Sequence, residues 1–296
     1  MGATRTCGDA AMGGREGLKG LSAEMWAETL RETRRKRPLV YSVTNFVAAS
    51  FQANATLALG ARPVMSRNPA ESREIAAGAD ALVINTGTPT EESVEAIRGA
   101  LSGAGEGKCI LLDPVGYGAS SYRKKLIDSL ISEFPFSLIK GNATEIALLA
   151  GEKGSMTGVD ALLTASPAAE AVSRLSRKTG SLVCATGETD YLGDGKIELI
   201  FSGGSPYMPL VTGSGCIMGS LMAALSAGAG NDPAAGASCA IVLLRRAAEI
   251  ADRKASGPGS FRSALLDAIF RISPEDLLEE RNRMTVKEWR GKEEWT

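Results

Sequence analysis

The chain has 296 residues, a net charge of −1 and 44% hydrophobic residues. That is enough apolar material for a sizeable core, and it lacks the basic field that nucleic-acid binding calls for. There is no histidine, which excludes a Ser-His-Asp triad, a Cys-His dyad and any His-built zinc site.

The five cysteines, Cys7, Cys109, Cys184, Cys216 and Cys239, form no CxxC pair and are odd in number. A disulfide framework is therefore not expected, and a reducing cytoplasm fits. No run of about 18 uninterrupted apolar residues predicts a membrane span. Residues 1–20 lack the apolar centre of a signal peptide and read as a disordered leader, leaving 21–296 as one domain.

The first predicted element is a helix, "SAEMWAETLRETRRKR", with Ser22 as N-cap, a basic run read as a solvated face, and Pro38 as its stop. "PLVYSVTN" is a buried strand ending at Thr44 and Asn45. The helix "FVAASFQANATLALG" follows, with Gly60 as its C-cap. "RPVMS", "DALVINTGT", "KCILLDPVGYG", "FSLIKGN" and "SLVCATG" are further strands. Helices "ESREIAAGA", "EESVEAIRGALSGAGEG", "SYRKKLIDSLISEF", "ATEIALLAG" and "PAAEAVSRLSRKTG" separate them. "DYLGDGKIELIFSGG" is a hairpin turning at Gly193-Asp194-Gly195. Three helices close the pattern: one from Cys216, "DPAAGASCAIVLLRRAAEIADRKA", and "FRSALLDAIFRI". Strand–helix alternation with continuous apolar strands predicts an α/β fold of three layers, a mostly parallel sheet with helices on both faces.

In such sheets ligands bind beyond the carboxyl ends of the strands. The polar residues that fall there are Asn45, Asn85, Thr86, Thr88, Asp113, Lys140, Asn142, Glu145, Thr186, Glu188 and Asp190, with Met65 beside them. Asp113 and Glu145 suit a magnesium ion held partly through water. The alternative is that Asp113 caps a helix and Glu145 is a solvated first-turn residue, paired with Asn142 in a capping box.

Gly213-Ser214-Gly215 runs straight into Cys216 and an apolar helix. A turn of small residues at a helix start offers backbone N–H groups and a positive dipole end to an anion such as a phosphoryl group. The same turn also suits close helix–sheet packing. It is neither a Walker A loop nor GxGxxG.

The segments "VTNFVAASFQANATLALGARPVMS", "ALVINTGT", "LLDPVGYGAS", "GNATEI", "GVD", "ATGETDYLGDG", "VTGSGC" and "GPGSF" occur in the order seen in hydroxyethylthiazole kinase. The chain resembles that family, of ribokinase-like fold, over residues 38–280. The resemblance implies ATP-dependent phosphorylation of the primary hydroxyl of 4-methyl-5-(2-hydroxyethyl)thiazole in thiamine biosynthesis or salvage, with magnesium. It also implies a homotrimer with active sites between neighbouring subunits.

By position, the resemblance implies thiazole contacts at Met65, Gly213 and Asn45. It implies ATP contacts at Lys140 and Thr186, with Asn142 and Asp113 beside them. Asp113 and Glu145 are implied as the magnesium and phosphate carboxylates. Cys216 falls where most ribokinase-like enzymes keep an aspartate base. The helix dipole is expected to lower its pKa and favour thiolate.

Three positions depart from the family's usual pattern. Tyr41 stands where histidine is common, "SGGSPYMPLVTG" lacks a histidine often found there, and Lys140 replaces arginine. Lysine keeps the charge but not the bidentate fork. The rival readings are a hydroxymethylpyrimidine kinase, an ATP/ADP-dependent hydrate dehydratase, and a non-catalytic nucleotide-binding relative. Cys216 with "VTNF…PVMS" argues against the first two. Asp113, Glu145 and Cys216 together argue against the third.

Overall fold

The computed structural model describes residues 17–152 and 165–288. Residues 1–16 of the expected leader, Cys7 within them, and the "GVD" motif at 158–160 lie outside the described residues.

Nine strands form one sheet in the order β2-β1-β3-β4-β5-β6-β7-β8-β9. They are β1 (Leu39–Val43), β2 (Arg62–Met65), β3 (Ala81–Asn85), β4 (Cys109–Asp113), β5 (Leu138–Asn142), β6 (Leu182–Thr186), β7 (Asp190–Gly193), β8 (Ile197–Phe201) and β9 (Met284–Glu288). The first six are mutually parallel, and β7, β8 and β9 add antiparallel. β3 is buried along its whole length, as expected of a strand covered on both faces.

The helices are α1 (Ala23–Lys36), α2 (Ala49–Leu59), α3 (Pro69–Gly78), α4 (Glu91–Gly103), α5 (Ser121–Glu133), α6 (Ala143–Leu149), α7 (Ala165–Thr179), α8 (Ser214–Gly228), α9 (Pro233–Asp252), α10 (Pro258–Arg271) and α11 (Pro274–Leu278). Two apolar cores lie on opposite faces of the sheet. One contains Trp26, Phe51, Leu221, Ile241 and Phe261, from α1, α2, α8, α9 and α10. The other contains Ala76, Ile97, Ile127, Ile146 and Val172, from α3 to α7. This is the expected three-layer α/β architecture.

Helix α8 is central because it is apolar on all sides and packs between α9 and the sheet. Gly236 on α9 makes that contact close. A Cβ there would stand 2.2 Å from the Ser226 backbone nitrogen.

Several local expectations meet their elements. Ser22 accepts from Met25 N–H, Gly60 is left-handed at φ 107°, and the β7–β8 turn is tied by Asp194 Oδ1 accepting from Lys196 and Ile197 N–H. Others are corrected. Residues Gly17–Gly20 of the expected leader form a 3-10 turn that buries Leu18. The basic run of α1 is not simply solvated. Arg34 donates to the carbonyls of Leu59, Ile269 and Phe270, and Lys36 donates to Gly228 O, which ties α1 to its neighbours. Helix α11 and strand β9, which pairs with β8, are additional to the sequence reading. Periodicity gives little warning of a five-residue edge strand half open to solvent.

Candidate active site

Strand order sets out the polar residues in a line. Along the carboxyl edge come Met65 on β2, Asn45 after β1, Asn85 on β3, Asp113 on β4, then Lys140, Asn142 and Glu145 at β5, and Thr186 on β6. Register keeps neighbours level: Asn85 stands beside Asp113, and Asn142 beside Thr186. With strands about 4.8 Å apart, β1 and β5 are roughly 14 Å apart across this edge. Helix α8 crosses β1, β3 and β4 and brings Cys216 over the middle of the line.

Gly213 is the N-cap of α8, at φ 87°, a conformation that favours glycine. A Cβ there would lie 3.3 Å from Ala48 Cβ. No side chain caps the helix. Ser214 turns away, its hydroxyl donating to Met208 O at 2.7 Å. The first-turn amides therefore face an open site, since Gly215 is exposed and Cys216 only half-buried.

Beneath Cys216 lies a buried polar network. Asn45 Nδ2 reaches Cys216 Sγ at 4.0 Å, and Asn85 Nδ2 reaches it at 3.4 Å. Asn85 Nδ2 also donates to Asp113 Oδ2 at 2.9 Å. Lys140 Nζ meets Asp113 Oδ1 at 3.3 Å, with both side chains buried. Gln52, fully buried on α2, donates to Cys216 O at 3.2 Å and Ser220 Oγ at 3.1 Å and accepts from Thr44 Oγ1 at 2.6 Å. It ties α2 to the first turn of α8.

The expectation of a thiolate at Cys216 is corrected. Burial and the negative charge of Asp113 push its thiol up to about 11, against the pull of Lys140, Asn85 and Asn45. The dipole does not win over desolvation beside a carboxylate. Asp113 is itself raised by burial, while Lys140, Asn85 and Cys216 pull it back. Burial also opposes the Lys140 charge. The negative charges of Asp113 and Glu145 nonetheless hold its pKa above the ordinary lysine value.

Asp113 caps no helix: it ends β4 and its carboxylate points into this network. Glu145 does form the capping box with Asn142, but it is buried rather than solvated. Its oxygens accept from Gly116 N–H at 2.7 Å and Asn142 N–H at 2.8 Å. Burial and the charge of Asp113 raise its pKa.

Met65 lines a separate cleft of about 240 Å³ with Ser42, Thr44, Phe46, Ala49, Ser66 and Arg67. Tyr41 does not enter it. That ring is buried, and its hydroxyl donates to Ser66 O at 3.3 Å. At the far end Thr186 is half-buried, its hydroxyl donating to Gly141 O at 3.2 Å. Glu188 is exposed, whereas Asp190 is a buried partner of Arg245 Nε at 2.8 Å. Arg245 also donates to the carbonyls of Gly187, Glu188 and Gly203, which fixes the loop after β6.

The sequence places Asn85 at a strand end without giving it a role, and says nothing of Gln52 or Arg245. Asn85 carries a signal in its register with Asp113. Gln52 shows only as a polar residue within an otherwise apolar helix.

A family model, that of the hydroxyethylthiazole kinase family, matches residues 30–275. The chain belongs to the hydroxyethylthiazole kinase family. A hydroxyethylthiazole kinase from Desulfotalea psychrophila is 39% identical over 252 residues, covering 85% of this chain and 92% of that one. One from Granulibacter bethesdensis is 42% identical over 240 residues, covering 81% and 87%. The solved hydroxyethylthiazole kinase of Pyrococcus horikoshii OT3 is similar at a TM-score of 0.80 and 35% identity, covering 90% of this chain and 99% of its own. A pyridoxal kinase from Bacillus subtilis, solved with ADP, has a TM-score of 0.52 at 16% identity and shares the fold alone.

Proposed function

We infer that this protein transfers the γ-phosphate of ATP to the primary hydroxyl of 4-methyl-5-(2-hydroxyethyl)thiazole, in thiamine biosynthesis or salvage. The observation that carries the reading is the line of residues along the sheet edge, with Cys216 above its centre. The residues proposed for the thiazole, Met65, Asn45 and Gly213, stand toward β2 and β1. Those proposed for ATP, Lys140, Asn142 and Thr186, stand toward β5 and β6. The alcohol and the γ-phosphate then meet over β3 and β4, where Asp113 and Cys216 lie.

Phosphoryl transfer through a loose transition state is governed by positioning and charge stabilisation. The α8 amides of Gly215 and Cys216, opened by Gly213 and Ser214, would receive the transferring group's oxygens. Cys216, held as a thiol, would orient the hydroxyl. Lys140 would neutralise Asp113 and lend positive charge to the γ-phosphate side.

Among the described residues no group of three or more Cys, Asp or Glu side chains could hold a metal alone. Asp113 and Glu145 oppose one Lys140 with two carboxylates, and that excess negative charge fits a magnesium ion arriving on the nucleotide phosphates. Bound there, magnesium would neutralise the charge of the β- and γ-oxygens.

A homotrimer is part of the same proposal. Phe46, on the wall of the Met65 cleft, is 70% exposed, which suits cover by a second subunit. Among the described residues no helix is long and apolar enough to cross a membrane, and we place the enzyme in the cytoplasm. The single sheet supports one domain, which begins no later than Gly17 because Leu18 packs into its core.

The test is ADP release with ATP and magnesium, with and without the thiazole alcohol, and with hydroxymethylpyrimidine as the rival acceptor. Thiazole-dependent release that stops on magnesium removal is expected. Release driven by the pyrimidine, or none with either alcohol, overturns the reading.

A further inference from the structure

Arg245 lies on α9, behind the loop that follows β6, and is 5% exposed. A guanidinium carries its N–H donors in one fixed plane and has no acceptor. Burying it is costly unless those donors are matched. Here they meet oxygens of two loops. Nε donates to Asp190 Oδ2 at 2.8 Å, Nη2 to Gly187 O at 3.1 Å, and Nη1 to Glu188 O at 3.0 Å and also to Gly203 O. One flat group thus joins α9, the loop after β6 and the loop after β8.

Asp190 completes the hold. Its Oδ1 accepts from Gly187 N–H at 3.0 Å while Oδ2 takes Arg245. Gly187 is therefore pinned at both ends, its N–H by Asp190 and its carbonyl by Arg245. Thr186, one residue earlier, is tied through its hydroxyl to Gly141 O and stands level with Asn142.

Peptide planarity then sets the direction of the loop. Among the described residues no peptide bond is cis, so each N–H points opposite to the carbonyl of the residue before it. Drawing the Gly187 and Glu188 carbonyls onto Arg245 turns the N–H groups of Glu188 and Thr189 away from it. Gly187 and Glu188 are exposed and Thr189 is half-buried. Among the described residues neither of those two N–H groups has a hydrogen-bond partner. Two successive free amides beside Thr186 are a donor pair for an anionic oxygen.

We propose that Arg245 is a positioning residue for the nucleotide: it holds the loop after β6 in the form that presents the Glu188 and Thr189 N–H groups to the phosphates of ATP. The proposal rests on the kinase reading above, which puts Thr186 at the ATP end of the edge. Arg245 itself stays behind the loop and acts through it. A lysine there would keep the charge opposite Asp190 but could not span the carbonyls of both loops with one rigid fork.

The first test is on the wild-type protein. Saturating AMP-PNP with magnesium should slow hydrogen exchange of the Glu188 and Thr189 amides, followed by mass spectrometry of the peptides that contain them. No protection overturns the proposal. The second test is Arg245→Lys, with thermal melting to show that it is folded at the assay temperature. Its Kd for AMP-PNP by calorimetry should rise on the order of tenfold, as expected when hydrogen bonds from a charged group are lost. KM for ATP should rise with it, while KM for the alcohol stays nearly unchanged.

An unchanged Kd in Arg245→Lys overturns the proposal. So does an equal loss of affinity in Gly236→Ala, which perturbs α9 at its contact with Ser226 and leaves the loop alone. Binding and exchange need no alcohol. If the wild-type protein binds AMP-PNP but releases no ADP with the thiazole alcohol, the kinase reading fails by itself, and the two tests still decide what Arg245 does. If the wild-type protein binds no AMP-PNP, both fall.

Discussion

Glu198 offers a test of burial far from the site. It lies on β8, 1% exposed, and neither carboxylate oxygen has a hydrogen-bond partner. Its register partners are Gly193 on β7 and Lys287 on β9. Burial raises its pKa from 4.5 to about 7, against the charge of Lys287. The rise corresponds to about 3 kcal/mol. The native state binds this proton more tightly than the unfolded chain. Stability therefore falls as pH rises from about 4.5 through about 7, and the penalty is complete above that.

Glu198→Gln is neutral at every pH. Urea unfolding of both proteins from pH 5 to pH 8 should show the variant gaining stability relative to wild type by about 2.5 kcal/mol over that range. The raised carboxyls of Asp113 and Glu145 tilt both curves alike and cancel in the difference. A parallel pair of curves would show that Lys287 or water already satisfies Glu198, and the reasoning would be wrong.

Cys216→Ala should lower kcat on the order of ten- to a hundredfold, with a smaller change in KM for ATP, as steady-state kinetics would show. Lys140→Met leaves Asp113 as an uncompensated buried charge and should destabilise the fold by roughly 3–5 kcal/mol, read by urea unfolding at neutral pH. Gly236→Ala forces a methyl into the Ser226 backbone and should lower the thermal midpoint. A glycine-to-alanine change in an open helix interior would instead stabilise. Arg245→Gln breaks a buried pair with Asp190 and should destabilise comparably to Lys140→Met, by thermal melting.

The parallel part of the fold was legible because each strand is a short apolar run between capped helices. The strand ends were legible too, since architecture alone says where Asp113, Lys140 and Thr186 must emerge. Pairing across the edge was not legible. The Lys140–Asp113 bridge joins residues 27 apart, and Arg245 reaches Asp190 across 55. Neither distance leaves a local pattern. The charge state of Cys216 was misjudged for a related reason. The helix start is visible in Gly-Ser-Gly-Cys, but the burial of the sulfur, and after it the carboxylate that another strand brings beneath it, come from packing that the local sequence does not show.

The position of β9 at the far margin of the sheet has a consequence for how the protein is made. Every strand end that frames the site lies before residue 190, and α8 follows by residue 228. The polypeptide leaving the ribosome can therefore assemble the strand ends of the site before its last strand exists. Until residue 288 emerges, β8 keeps an unpaired flank, the kind of surface on which nascent chains stick to one another. Docking of β9 then covers that flank of β8 and moves the sheet edge to a short, largely exposed strand that carries Lys287 and Glu288.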